Sequence, residues 1–301
     1  MMGAVASTPA PIRFRPMPLP ELLDELFRLY RRHFSLIVGV ALLVALPGLV
    51  WTLVTGAYRL NSTSYANLFT TTGTATPAFN STQFSNLVGP ILLGALGALI
   101  LLPFSLGAVY RAVTDVALGR PATIGSVLRE TLARYWPLLG LIGLFLAFGA
   151  VWAVAELIGF VLLILPGLAV FCAAVYFLVR WSLTVAAMMA EDIGPIRGLG
   201  RSWNLVSGQW WRTFGILLIV TILQTIITWG LGILLGVIAS VFSTGDFQAA
   251  LVQVGGTLLG ALVSPITTIA VVLLYFDLRV RKEGLDLDQL AQQTSPGPAP
   301  A

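Results

Sequence analysis

The run HFSLIVGVALLVALPGLVWTLVTGAYR, His33–Arg59, decides how this chain folds. No charged residue stands between its ends, and its apolar residues run on continuously rather than marking one face. A transmembrane helix needs about 20 mostly apolar residues, so a span is expected at 35–57. Hydrocarbon offers backbone N–H and C=O groups no partner, which makes such a run helical. A membrane β-barrel would instead alternate over segments of about ten residues.

The same reading, carried outward, gives spans at about 88–110, 137–160, 163–188, 213–242 and 250–276. The expected fold class is therefore all-α, a polytopic membrane helical bundle of about six transmembrane helices with amphipathic interfacial helices. A flexible segment is expected at 1–19, the membrane domain at 20–290 and a disordered, Pro-, Gly- and Gln-rich tail at 291–301. Residues 60–86, rich in Asn, Ser and Thr, read as a polar loop. Composition agrees: 10% of residues are charged and 57% hydrophobic, at a mean hydropathy of +0.91, where a soluble domain carries about a quarter charged residues. Residues 1–20 lack the apolar core and cleavage site of a secretory signal.

Lys and Arg mark one side. Arg13, Arg15, Arg28, Arg31 and Arg32 precede the first span; Arg111, Arg120, Arg129 and Arg134 lie between the second and third. Arg197, Arg201 and Arg212 lie between the fourth and fifth, and Arg279, Arg281 and Lys282 follow the sixth. The opposite loops hold only Arg59, and Arg180 falls within a span. The positive-inside rule then places both termini in the cytoplasm of a multi-pass protein of the bacterial plasma membrane. The net charge of +4 and pI near 9.6 reflect this placement; no nucleic-acid partner is expected.

Three segments share one plan: ELLDELFRLYRRHFSLIVGVALL, TIGSVLRETLARYWPLLGLIGLF and GLGRSWNLVSGQWWRTFGILLIV. Each reads as a short amphipathic helix, an aromatic-basic junction and a span. The chain is thus either three repeats of an interfacial helix and a helical hairpin, or a convergence on general membrane patterning.

The junctions supply the candidate contacts. Arg129, Arg134, Trp136, Arg201, Trp203, Trp210, Trp211 and Arg212 suit a surface that holds anionic lipid headgroups or docks a partner, since indoles favour the headgroup level and basic side chains an anionic leaflet. They equally suit anchors that only set hairpin depth. Glu156 and Arg180 lie furthest from the loops, and a hairpin turning near Leu165-Pro166-Gly167 puts them at similar depth as an ion pair. A charge at mid-span costs about 2.5–3.5 kcal/mol, so Glu156 is a candidate proton or cation site, a structural pair with Arg180, or a group that snorkels. Gly232-xxx-Gly236 and Gly256-xxx-Gly260 suggest close approach of the last two spans.

Catalytic chemistry is scarce. His33 is the only histidine and Cys172 the only cysteine, neither beside a metal-ligand neighbour. No phosphate loop, GxSxG or HExxH motif occurs. No enzyme activity, cofactor or metal is expected.

The stretches MAEDIGPIRGLGRSWNLVSGQWWRTFGIL (189–217) and LLYFDLRVRKEGLDLDQL (273–290), with the opening FRPMPLPELLDELFRLYRRHF, resemble the bacterial membrane-domain family named for glycerophosphoryl diester phosphodiesterases. The resemblance covers most of 14–290 and implies a six-helix membrane module without the catalytic barrel, which the length excludes. It implies no functional residues. The expected role is a non-enzymatic membrane protein organising anionic lipid, a partner protein or a second copy at the cytoplasmic face. The alternative is a small-molecule or ion transporter or channel using Glu156 and helices kinked at Pro47, Pro103, Pro166 and Pro265.

Overall fold

The computed structural model describes residues 16–59, 69–70, 78–79, 81–162, 164–242 and 245–284. The tail at 291–301 and most of the 60–86 loop lie outside them. Among the described residues ten α-helices follow one another: α1 (Leu19–Arg32), α2 (Phe34–Thr55), α3 (Ser81–Ala117), α4 (Ile124–Ala133), α5 (Tyr135–Leu162), α6 (Ile164–Trp181), α7 (Thr184–Glu191), α8 (Pro195–Val206), α9 (Trp210–Phe242) and α10 (Gly245–Glu283). Two-residue strands, Phe69–Thr70 and Ala78–Phe79, pair antiparallel between α2 and α3.

Six stretches are long and apolar enough to cross a membrane, one each in α2, α3, α5, α9 and α10 and one running through α6 and α7. The chain is thus an all-α multi-pass bundle. Its most extensive packing lies within three antiparallel hairpins, α2–α3, α5–α6 and α9–α10. Each is preceded by a short amphipathic helix, namely α1, α4 and α8, so the three-unit plan is visible in the fold. α7, packed on α8 and α3, is an insertion in that plan.

Local sequence sets the short helices. Pro20 and Pro195 stand in the first turns of α1 and α8, where a missing N–H leaves no bond unmade. Thr123 caps α4, exchanging hydrogen bonds with Ser126. His33 breaks the helix between α1 and α2, its backbone N–H still bonded to the Leu29 carbonyl. Leu22, Leu26 and Leu29 recur at helical spacing and are buried against α10.

α10 is the central post. It is the most enclosed of the six spans and packs on α9, α2, α1 and α3. Ile269 through Phe276 form the middle of the core, and Tyr275 and Phe276 are fully enclosed.

Close approach requires glycine at several positions, Gly97 and Gly255 among them. A Cβ on Gly97 would lie 2.1 Å from the Trp51 indole nitrogen, which donates across the hairpin to the Leu93 carbonyl at 2.8 Å. On Gly255 it would meet Leu235 at 2.6 Å. The expected glycine contact between the last two spans is therefore made one residue away. Gly232, Gly236, Gly256 and Gly260 have no such neighbours, and bulky Leu235 does the packing.

Candidate functional site

Three features stand out: a charged base, a ring of exposed arginine and apolar side chains, and a cleft among the spans.

The base begins with Asp277, whose side chain is 0% exposed. It accepts from Arg212 at 2.8 Å, from Arg281 at 3.0 Å and from the Met17 backbone N–H at 2.8 Å. Both guanidinium groups also donate to the Met17 carbonyl. A carboxylate enclosed this far from water persists because charge-assisted bonds replace its hydration. The segment before α1, expected to be flexible to residue 19, is thus fixed from Met17 onward, and the start of α9 is tied to the end of α10. Sequence reading saw Asp277 only as a helical neighbour of Arg281; the link to Met17 has no local signal.

Two further knots complete the base. Arg201 pairs with Glu191 and Glu283, while Tyr275 donates to Glu191 at 2.6 Å. Bonding to Glu283 first, then to Glu191, raises the Arg201 pKa above its ordinary value against the opposing effect of burial. Arg111 reaches Asp115, Glu130, Asp192 and the Met189 carbonyl. Arg134 holds Asp192 at 2.8 Å. Asp192 adopts φ 56° at the end of α7, a conformation uncommon outside glycine, and its carboxylate is clamped there by two arginines.

These knots revise the expected contact set. Arg134, Arg201 and Arg212 are occupied by carboxylates of their own chain. Trp203 lies under the Arg180 guanidinium, 4.4 Å from its ring centroid, and Trp210 stacks between Phe214 and Tyr176. Arg129, Trp136 and Trp211 do face outward, the two indoles at 76% and 78% exposure. Sequence reading missed Arg32, Ile196 and Arg197, also exposed. Arg32, Arg129 and Arg197 have no acidic partner among the described residues. One lies at the end of each interfacial helix or within it, and the exposed Phe34, Trp136 and Ile196 stand two, seven and one residues from them along the chain.

The expected Glu156–Arg180 pair is not formed. Ring contacts of Phe148 with Trp181 and Phe177, and of Trp152 with Phe177, fix the α5–α6 register. In that register Trp181, the neighbour of Arg180 in sequence, meets Phe148, eight residues before Glu156. The Arg180 guanidinium donates to the Tyr176 hydroxyl and the Trp203 carbonyl. Glu156 lies 20 residues beyond Trp136, about 30 Å along a helix, which is about the thickness of the hydrocarbon. It belongs to the far end of the span, with Oε2 unpartnered.

The third feature is a cleft of about 530 Å³ between α2, α3 and α10. Ala41, Ala45 and Gly48 form one wall, Gly94, Gly97 and Ala98 a second, and Gln253, Thr257, Gly260, Ser264 and Thr268 the third. No family model, curated protein or solved structure matches this chain.

Proposed function

We propose that this protein is a non-enzymatic scaffold that gathers anionic lipid headgroups at the cytoplasmic face of a bacterial plasma membrane. One observation carries the reading. Each of the three interfacial units exposes an arginine without a carboxylate partner among the described residues and, within seven residues along the chain, a large exposed apolar side chain, while the remaining basal arginines are largely neutralised within the fold. An apolar group embedded at the interface, with a cation above it, is the chemistry by which a surface helix prefers an anionic leaflet. Three such helices around one bundle present several headgroup contacts at once. In this reading both termini lie inside, an orientation that the distribution of arginines supports.

The transport reading rested on a carboxylate at mid-span, and Glu156 stands elsewhere. Kinship with the phosphodiesterase-associated membrane modules remains part of the proposal. The segments that carry that likeness, 189–217 and 273–290, include Glu191, Arg201, Arg212 and Asp277, residues that lock the base of this chain.

The test is native mass spectrometry of protein released from membranes containing phosphatidylglycerol. An Arg32→Gln, Arg129→Gln, Arg197→Gln variant is expected to lose most of its retained phosphatidylglycerol while keeping its fold. Retention equal to the unmodified protein overturns the reading.

A further inference from the structure

The cleft among α2, α3 and α10 differs in character from the rest of the membrane-facing surface. Gln253, Thr257, Gly260, Ser264 and Thr268 fall at helical spacing along one side of α10, and all line the cavity. Opposite them, α2 and α3 contribute glycine, alanine, valine and leucine together with Trp51, whose indole N–H is taken by the Leu93 carbonyl, and Thr52 and Ser105 are the other polar residues. No charged side chain is among the lining residues.

Hydrogen-bonding capacity in this stripe exceeds what the protein uses. The Thr257 hydroxyl donates to the Gln253 carbonyl and the Thr268 hydroxyl to that of Ser264, which leaves the Thr268 oxygen open as an acceptor. The Gln253 amide nitrogen makes one long contact with Thr257, at 3.4 Å. The Ser264 hydroxyl, exposed toward the cavity, makes no hydrogen bond among the described residues. Polar groups facing hydrocarbon are costly unless satisfied, and those lining this cavity lie within the membrane-crossing stretches of α2, α3 and α10. Its volume falls within the range of about 300–1,000 Å³ usual for small-molecule sites.

We infer that this cleft binds an uncharged glycerolipid, with an acyl chain along the glycine- and alanine-lined walls and hydroxyl or ester oxygens on the α10 stripe. The absence of any charged lining residue excludes an anionic headgroup from the cavity, since a charge there is left without a counter-ion. Small side chains on the facing helices leave the space between the walls unfilled; the polar stripe gives the oxygen atoms their partners. The site shares no residue with the headgroup contacts of the base, so either can fail alone.

The test uses a photoreactive diacylglycerol carrying a diazirine in its acyl chain, with a phosphatidylglycerol probe of the same chain in a parallel arm. Both are incorporated into proteoliposomes of the full chain, and cross-links are mapped by peptide mass spectrometry. Diacylglycerol is expected to label peptides of α2, α3 and α10 that line the cavity, at least about tenfold more than phosphatidylglycerol does, a ratio corresponding to 1.4 kcal/mol. A Cβ at Gly260 or Gly48 meets nothing within 4 Å, so Gly260→Leu and Gly48→Leu each grow into the cleft without a backbone clash. Each is expected to reduce the labelling about tenfold while size-exclusion behaviour is unchanged. A Ser264→Ala, Gln253→Leu variant, which keeps the space and removes the polar partners, is expected to lose the preference for diacylglycerol. Equal labelling by both probes, labelling outside the cleft, or labelling indifferent to the filled variants overturns the inference.

Discussion

Replacing Asp277 by alanine is the sharpest perturbation of the base. The side chain is 0% exposed and accepts from Arg212, Arg281 and the Met17 N–H. Its removal leaves two guanidinium groups facing each other over one carbonyl. Breaking a fully buried ion pair from one side costs about 3–5 kcal/mol. Here the arginine side chains are 23% and 29% exposed, so solvent screens part of their repulsion and the expected loss is about 2–3 kcal/mol. Asp277→Asn keeps an acceptor and loses only the charge, for about 1–2 kcal/mol. Equilibrium unfolding in mixed micelles with increasing SDS measures both. A cycle with Arg281→Ala separates pairwise coupling from general damage, because truncating Arg281 relieves the repulsion created in Asp277→Ala. A loss below about 0.5 kcal/mol for Asp277→Ala, which is the scale of an ordinary surface substitution, refutes the reasoning.

Gly97→Leu places a Cβ 2.1 Å from the Trp51 indole nitrogen and is expected to cost about 1–3 kcal/mol by overpacking the α2–α3 hairpin, measured by the same titration. Trp211→Ala is expected to leave unfolding nearly unchanged, since the ring is largely exposed, whereas Trp210→Ala loses two stacked partners and about 1 kcal/mol or more. Burial first, and Arg32 second, hold the His33 pKa below its ordinary value. The fold therefore favours neutral imidazole, so this contribution is complete above the ordinary histidine pKa and is lost as pH falls through the lowered one. His33→Gln is expected to flatten the dependence of thermal stability on pH on the acid side of neutrality.

Element existence was legible wherever the solvent dictated it. Continuous apolar runs gave six spans, and the aromatic-basic junctions marked the three interfacial helices before each hairpin. The helix of the second span, α3, begins at Ser81, within the expected polar loop, because Asn, Ser and Gln do not prevent a helix from extending beyond hydrocarbon. Site detail was less legible. Proline in a first helical turn is tolerated, and α6 begins at Ile164, before Pro166. The aromatic contacts set the register, and Arg180 bonds to Tyr176 and Trp203 instead of Glu156. Arginines at the junctions looked free because their acidic partners are distant in sequence: Asp277 lies 65 residues from Arg212, and Glu283 lies 82 from Arg201. Periodicity identifies a face but not what covers it.

The account stands on the charged base lying on the cytoplasmic side of six crossings. Single cysteines placed in a Cys172→Ala background at Gly119, Gly208, Tyr58 and Asp246 report this through a membrane-impermeant maleimide applied to intact cells. Tyr58 and Asp246 are expected to react in intact cells, and Gly119 and Gly208 only after lysis. Labelling of Gly208 from outside, with protection of Asp246, contradicts the arrangement.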